Sequence, residues 1–191
     1  MEQKIRDNRG YKVIFVSHCI LNQNAKVRGI AKYPGVLTPI VELLFSVNVG
    51  IIQMPCPEMR YFGAMRWGQV KDQYNSPMFR RFCNILADPI LDQVEDYIRC
   101  GYQVLGFIMI DGSPVCGLNK VPQPAEDGQI WGGMVWYTPP QHFVQDCGVF
   151  CEVLREKIAH RKIPELKFIS VPEVDEVGSM NEALQGLKSI L

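Results

Sequence analysis

The sequence predicts an α/β fold of three layers, Rossmann-like, with a mostly parallel sheet and a long aromatic loop after the third strand. Three observations carry this. Short apolar runs rich in β-branched residues alternate with longer stretches of helical period. Thr38-Pro39 and Ser76-Pro77 are helix starts, a hydroxyl N-cap followed by proline in the first turn. The run 103–110 is apolar after Gln103, as in a parallel strand covered on both faces. The order strand-helix-strand-helix-strand-loop-helix-strand-helix then implies right-handed crossovers around one sheet.

Residues 12–18 form the first predicted strand, and a loop rich in Asn, Lys and Gly runs from Asn22 to Gly35. Thr38 caps a helix through Ile40, Val41, Leu44 and Val47 that stops near Asn48 to Gly50. The second strand is 51–54. Ser76 opens a helix to Cys100, bent or divided near Asp88-Pro89, because an internal proline removes a donor and crowds the preceding turn. Gly101 ends it. The third strand is 103–110. Residues 117–140 mix Gly and Pro with Trp131, Trp136 and Tyr137 and read as a lid or binding segment. A helix is expected over Gln141 to His160, a fourth strand over 167–171, and a last helix from Ser179 with Glu182 in a capping box.

A chain of 191 residues suits one α/β domain, 1–191. Lys+Arg and Asp+Glu are 20 each, so the net charge is zero. No basic face points to nucleic acid. No apolar run is long enough for a transmembrane helix, and no secretory leader is expected at the polar start. Seven cysteines, an odd number, favour reduced thiols and a cytoplasmic location.

Three of those cysteines each stand just past a predicted strand. Cys19 follows the first, Cys56 the second and Cys116 the third. The carboxyl ends of parallel strands share one crevice, where ligands bind. Three thiolates converging there suit a soft metal or an iron–sulfur cluster with one position open. They lack the close pairing of a zinc ribbon. Cys83, Cys100, Cys147 and Cys151 fall in helical pattern and read as core.

Glu58 lies two residues after Cys56, placed for general acid/base work. Ser113, in Asp111-Gly112-Ser113-Pro114-Val115-Cys116-Gly117, has a hydroxyl to hold water or substrate. Ser17 and Asn22 flank Cys19 as candidates for substrate contact, and Asn24, Lys26 and Arg28 extend the polar wall. His18 should point away from its neighbour Cys19, as adjacent residues do at a strand end. His142 and His160 read as surface residues of a helix.

At these positions the chain resembles the 2-thiouracil desulfidase family, formerly a domain of unknown function. The resemblance rests on Ser17-His18-Cys19-Ile20-Leu21, Cys56-Pro57-Glu58 and Ser113-Pro114-Val115-Cys116-Gly117, over roughly residues 12 to 117. Asn22 to Gly29 and Met59 to Arg66 depart from the family's pattern and mark a divergent member. The resemblance implies that Cys19, Cys56 and Cys116 hold a 4Fe-4S cluster whose fourth iron takes the thiocarbonyl sulfur of the substrate. It implies Glu58 and Ser113 for proton transfer and water positioning. An aerobic preparation would lose or replace such a cluster.

The expected function is therefore desulfidation of a small thiolated compound, thiobase-like. The alternative is a non-catalytic thiolate module for sensing, storage or sulfur transfer. Trp131 and Trp136 are expected to stack on a planar substrate. A homodimer contact is the competing expectation for the same residues.

Overall fold

The computed structural model describes residues 7–123 and 142–191. In chain order it contains β1 (Lys12–Val16), α1 (His18–Leu21), a 3-10 turn (Gln23–Ala25), α2 (Thr38–Ser46), β2 (Gly50–Gln53), α3 (Pro57–Phe62) and α4 (Lys71–Tyr74). Then come α5 (Pro77–Arg99), β3 (Gln103–Asp111), β4 (Lys120–Gln123), β5 (His142–Gln145), α6 (Val149–Arg161), β6 (Phe168–Pro172) and α7 (Met180–Lys188). The main sheet has the order β2-β1-β3-β6 and is parallel throughout. A separate antiparallel ribbon joins β4 to β5. Among the described residues no helix is long and apolar enough to cross a membrane.

Alternation along the strands sends side chains to both faces, and each face has its own core. Phe15, Phe107 and Met109 meet Phe79, Leu86, Ile90 and Leu91 of α5 and Phe150 and Leu154 of α6. Ile14, Val16, Ile108 and Ile110 meet Ile40 and Leu44 of α2 and Leu187 of α7. These are the three expected layers. Burying each such side chain contributes about 1.5–3 kcal/mol.

One irregularity keeps the two faces in phase. The register passes from Val13 opposite Val104 to Phe15 opposite Phe107, so β3 carries one extra residue. Gly106 sits there with φ 130°, and a Cβ on it would lie 2.0 Å from the Lys167 carbonyl oxygen. Glycine alone fits this bulge.

Several local expectations change. The helix expected from Gln141 begins only at Val149, because His142–Gln145 pairs with Lys120–Gln123 as a strand. His142 is therefore an exposed strand residue. The helix α5 runs undivided through Pro89. Ile85, whose carbonyl loses its partner to that proline, is 67% exposed, so water can replace the bond. Leu37 rather than Thr38 caps α2, since the Thr38 hydroxyl donates backward to Val36. Ser179 makes no side-chain cap, so the capping box with Glu182 does not form. Ser76 caps α5 through the Phe79 amide, and Gly101 takes its left-handed conformation as expected. Cys83 and Cys151 are core residues, but Cys100 is exposed at the end of α5. Cys147 lies half-buried in the loop ahead of α6, off the helix. The segment with Trp131 and Trp136 lies outside the described residues.

Candidate active site

The carboxyl ends of the strands open into a cavity of about 970 Å³, counting its mouth. Cys19, Cys56, Cys116, Glu58 and Ser113 all line it. Each cysteine is held differently. Cys19 lies in α1, the single turn into which the chain folds after β1. Its carbonyl accepts from Gln23 Nε2 at 2.7 Å. Cys56 caps α3, its Sγ accepting from the Met59 amide at 3.4 Å, where a hydroxyl would usually stand.

Cys116 is fixed by a loop rich in side-chain-to-amide hydrogen bonds. Ser113 Oγ accepts from the amides of Cys116 at 3.0 Å and Val115 at 3.3 Å. Asp111 Oδ1 accepts from the amides of Leu118 and Asn119, both at 2.8 Å, and of Lys120 at 3.3 Å. Asp111 Oδ2 accepts from Ser170 Oγ at 2.7 Å and Asn119 Nδ2 at 3.1 Å. The far side of the loop docks on the start of α6, whose Phe150 amide donates to the Val115 carbonyl at 2.9 Å. Gly148 permits that approach: a Cβ there would meet the Val115 carbonyl at 2.5 Å.

A buried polar network backs the thiols. Glu58 Oε2 accepts from Arg66 Nε at 3.0 Å and from Tyr74 Oη at 3.3 Å. The other oxygen, Oε1, faces the Ser113 hydroxyl at 3.5 Å. Arg66 also donates to the Ala25 carbonyl at 2.7 Å. On another wall Lys26 pairs with Glu173 at 3.1 Å.

Burial governs the acidities. It pushes the Cys19 thiol up to about 12, against the nearby Lys26 ammonium. Cys56 rises to about 11 by burial and then by Glu58. Cys116 rises well above the usual thiol range by burial, then by Cys56 and Cys19 beside it. Glu58 is raised by burial in spite of Arg66. His18 is lowered by burial.

The candidate residues divide into those at the cavity and those away from it. His18 lines the same cavity as Cys19, contrary to the expectation of opposite directions. The strand has already given way to a helical turn there, so strand alternation no longer applies. Ser17 is buried beside the cavity lining rather than in it, and its hydroxyl has no partner among the described residues. Asn22 is also outside the lining and is occupied in capping the 3-10 turn through the Asn24 amide. Arg66, Tyr74 and Glu173 were not singled out by the motifs. Glu173 follows the fourth strand, so the strand-end rule applied there would have found it. Arg66 and Tyr74 are gathered by tertiary contacts and leave no local signature.

The donor set fits an iron–sulfur cluster. Three soft thiols from neighbouring strands line one cavity, with no fourth cysteine among the described residues of its lining. Among the described residues no three His, Cys, Asp or Glu side chains stand close enough for one metal ion. A cluster asks less of them, because each thiolate binds a separate iron.

No family profile matches the chain. The uncharacterized protein MJ0003 of Methanocaldococcus jannaschii is 38% identical over 112 residues, covering 59% of this chain and 71% of that protein. The chain belongs to the MJ0003 family. A solved structure titled as the 4Fe-4S-dependent thiouracil desulfidase TudS matches with a TM-score of 0.53 at 16% identity. The match covers 94% of this chain and 99% of that one. The fold is shared, in agreement with the resemblance read from the sequence.

Proposed function

We propose that this protein is an iron–sulfur-dependent desulfidase that removes sulfur from a small thiocarbonyl compound, thiobase-like. The observation that carries the reading is one cavity lined by Cys19, Cys56, Cys116, Glu58 and Ser113. The shared fold with TudS supports it. Cys19, Cys56 and Cys116 would hold a 4Fe-4S cluster. Such a cluster, when bound, supplies an iron without a protein ligand that acts as Lewis acid and sulfur acceptor.

The chain's own groups supply the rest. Arg66 and Tyr74 occupy Glu58 Oε2 and fix the carboxyl group. Its Oε1 is left to hold a water with Ser113, take the water's proton and return it to the product. The apolar neighbours Ala25, Val27, Ile30 and Val70 keep bulk water out. A cluster module for sensing or storage would need the thiols but not this oriented carboxyl group, which favours the enzyme.

Anaerobic reconstitution followed by iron and sulfide quantitation tests the ligands. Replacing Cys19, Cys56 or Cys116 by Ala should abolish iron retention, and replacing Cys83, Cys100, Cys147 or Cys151 should not. Glu58→Gln should keep iron and lower thiouracil turnover by roughly 10²–10⁴-fold. A wild-type protein that takes up no iron overturns the reading, and so does a glutamine variant with unchanged turnover.

A further inference from the structure

Two buried ion pairs line the cavity, and the proposed chemistry uses only Glu58–Arg66. The second, Lys26–Glu173, has side chains only 6% and 12% exposed. An ammonium carries three donors. Among the described residues the partner of this ammonium is Glu173 Oε1, an ion pair at 3.1 Å. Glu173 Oε2 has no donor among the described residues. Little-exposed side chains that line a cavity with hydrogen-bonding capacity to spare are placed to meet a ligand there.

The charges limit what that ligand can be. Lys26 is neutralised by Glu173 and Arg66 by Glu58, so among the described residues the lining holds no spare cation for a phosphate or carboxylate. The pair instead offers a donor and an acceptor side by side. A planar ring with a carbonyl next to an N–H matches that arrangement.

We infer that Lys26 and Glu173 form a specificity pair that reads the carbonyl and adjacent ring N–H of a neutral heterocyclic thioamide bound beside the three cysteines. This rests on the desulfidase reading. Lys26 donates to the ring carbonyl, and Glu173 accepts from the ring N–H. A thioamide lacking the second carbonyl leaves Lys26 unanswered and binds more weakly.

The test separates recognition from turnover by using oxygen analogues that cannot be desulfurised. Uracil has the carbonyl beside its N–H; 4-pyridone has the two groups on opposite sides of the ring. Equilibrium dialysis against anaerobically reconstituted protein should show uracil bound at least about tenfold more tightly. The double variant Lys26→Met/Glu173→Met leaves no orphaned charge. It should bring the two affinities within about twofold at unchanged iron content and 4-pyridone affinity. If it does not fold, Glu173→Gln keeps the side-chain shape and should cut the uracil preference by about threefold. Undetectable uracil binding by the wild type overturns the assignment. So does a preference that survives in the variants, or an equal loss of both ligands, which would make the pair a structural tie. Thiouracil turnover is measured separately. If the preference follows the pair while thiouracil is not converted, the pair stands and the desulfidase reading falls. If thiouracil is converted and the variants keep the preference, the pair alone falls.

Discussion

Asp111→Ala should loosen the Cys116 loop without touching the cavity wall. The carboxylate accepts five hydrogen bonds, three of them from consecutive backbone amides. Alanine leaves those donors without a partner. Asn119 is exposed, so water recovers its amide and its side chain. Leu118 and Lys120 are half-buried, and each stranded amide there costs about 1–2 kcal/mol. The sum is about 3 kcal/mol. For a chain of this size each kcal/mol moves the midpoint by roughly 2–4 °C, giving a fall of about 6–12 °C. Asp111→Asn keeps an oxygen for the amides and should fall by about a third as much. Thermal unfolding of the iron-free proteins gives the shift, and iron retention after reconstitution gives the consequence for Cys116. A midpoint within about 2 °C of wild type would refute the claim that Asp111 organises the loop.

Two further outcomes follow from packing and charge. Gly148→Ala forces a methyl into the Val115 carbonyl and should cost about 1–3 kcal/mol in denaturant unfolding, with weaker iron retention because the same loop carries Cys116. Arg66→Met strands the buried Glu58 carboxylate and should cost about 3–5 kcal/mol. Adding Glu58→Gln to Arg66→Met should recover most of that stability, as read by a double-mutant cycle.

The parallel sheet and the gathering of Cys19, Cys56, Cys116, Glu58 and Ser113 at one edge were legible because they obey local rules. Apolar runs mark the strands, and residues just past parallel strands share one rim. What escaped depends on distant partners. His142–Gln145 has no strong strand pattern of its own and becomes extended only because Lys120–Gln123 pairs with it. Arg66 reaches the cavity by bonding Ala25, a residue 41 positions earlier. His18 was misdirected because β1 ends at Val16 and the helical turn starts at once. Asn22 looked like a cavity residue by proximity to Cys19, but its side chain serves the turn that follows.

The bulge at Gly106 makes the site depend on the parity of a residue count. Leu105 belongs with α2 and α7, Phe107 with α5 and α6, and the extra residue between them is what separates the two assignments. A residue at position 106 that cannot hold φ 130° and instead continues the regular strand would leave every side chain of the rim unchanged in identity. It would nevertheless invert Phe107 to Asp111, turning Ile108 and Ile110 toward the wrong layer and Asp111 away from the amides of Leu118 and Asn119. A single substitution far down the strand would thus dismantle the ground on which Cys116 stands, by a shift of parity rather than by touching it.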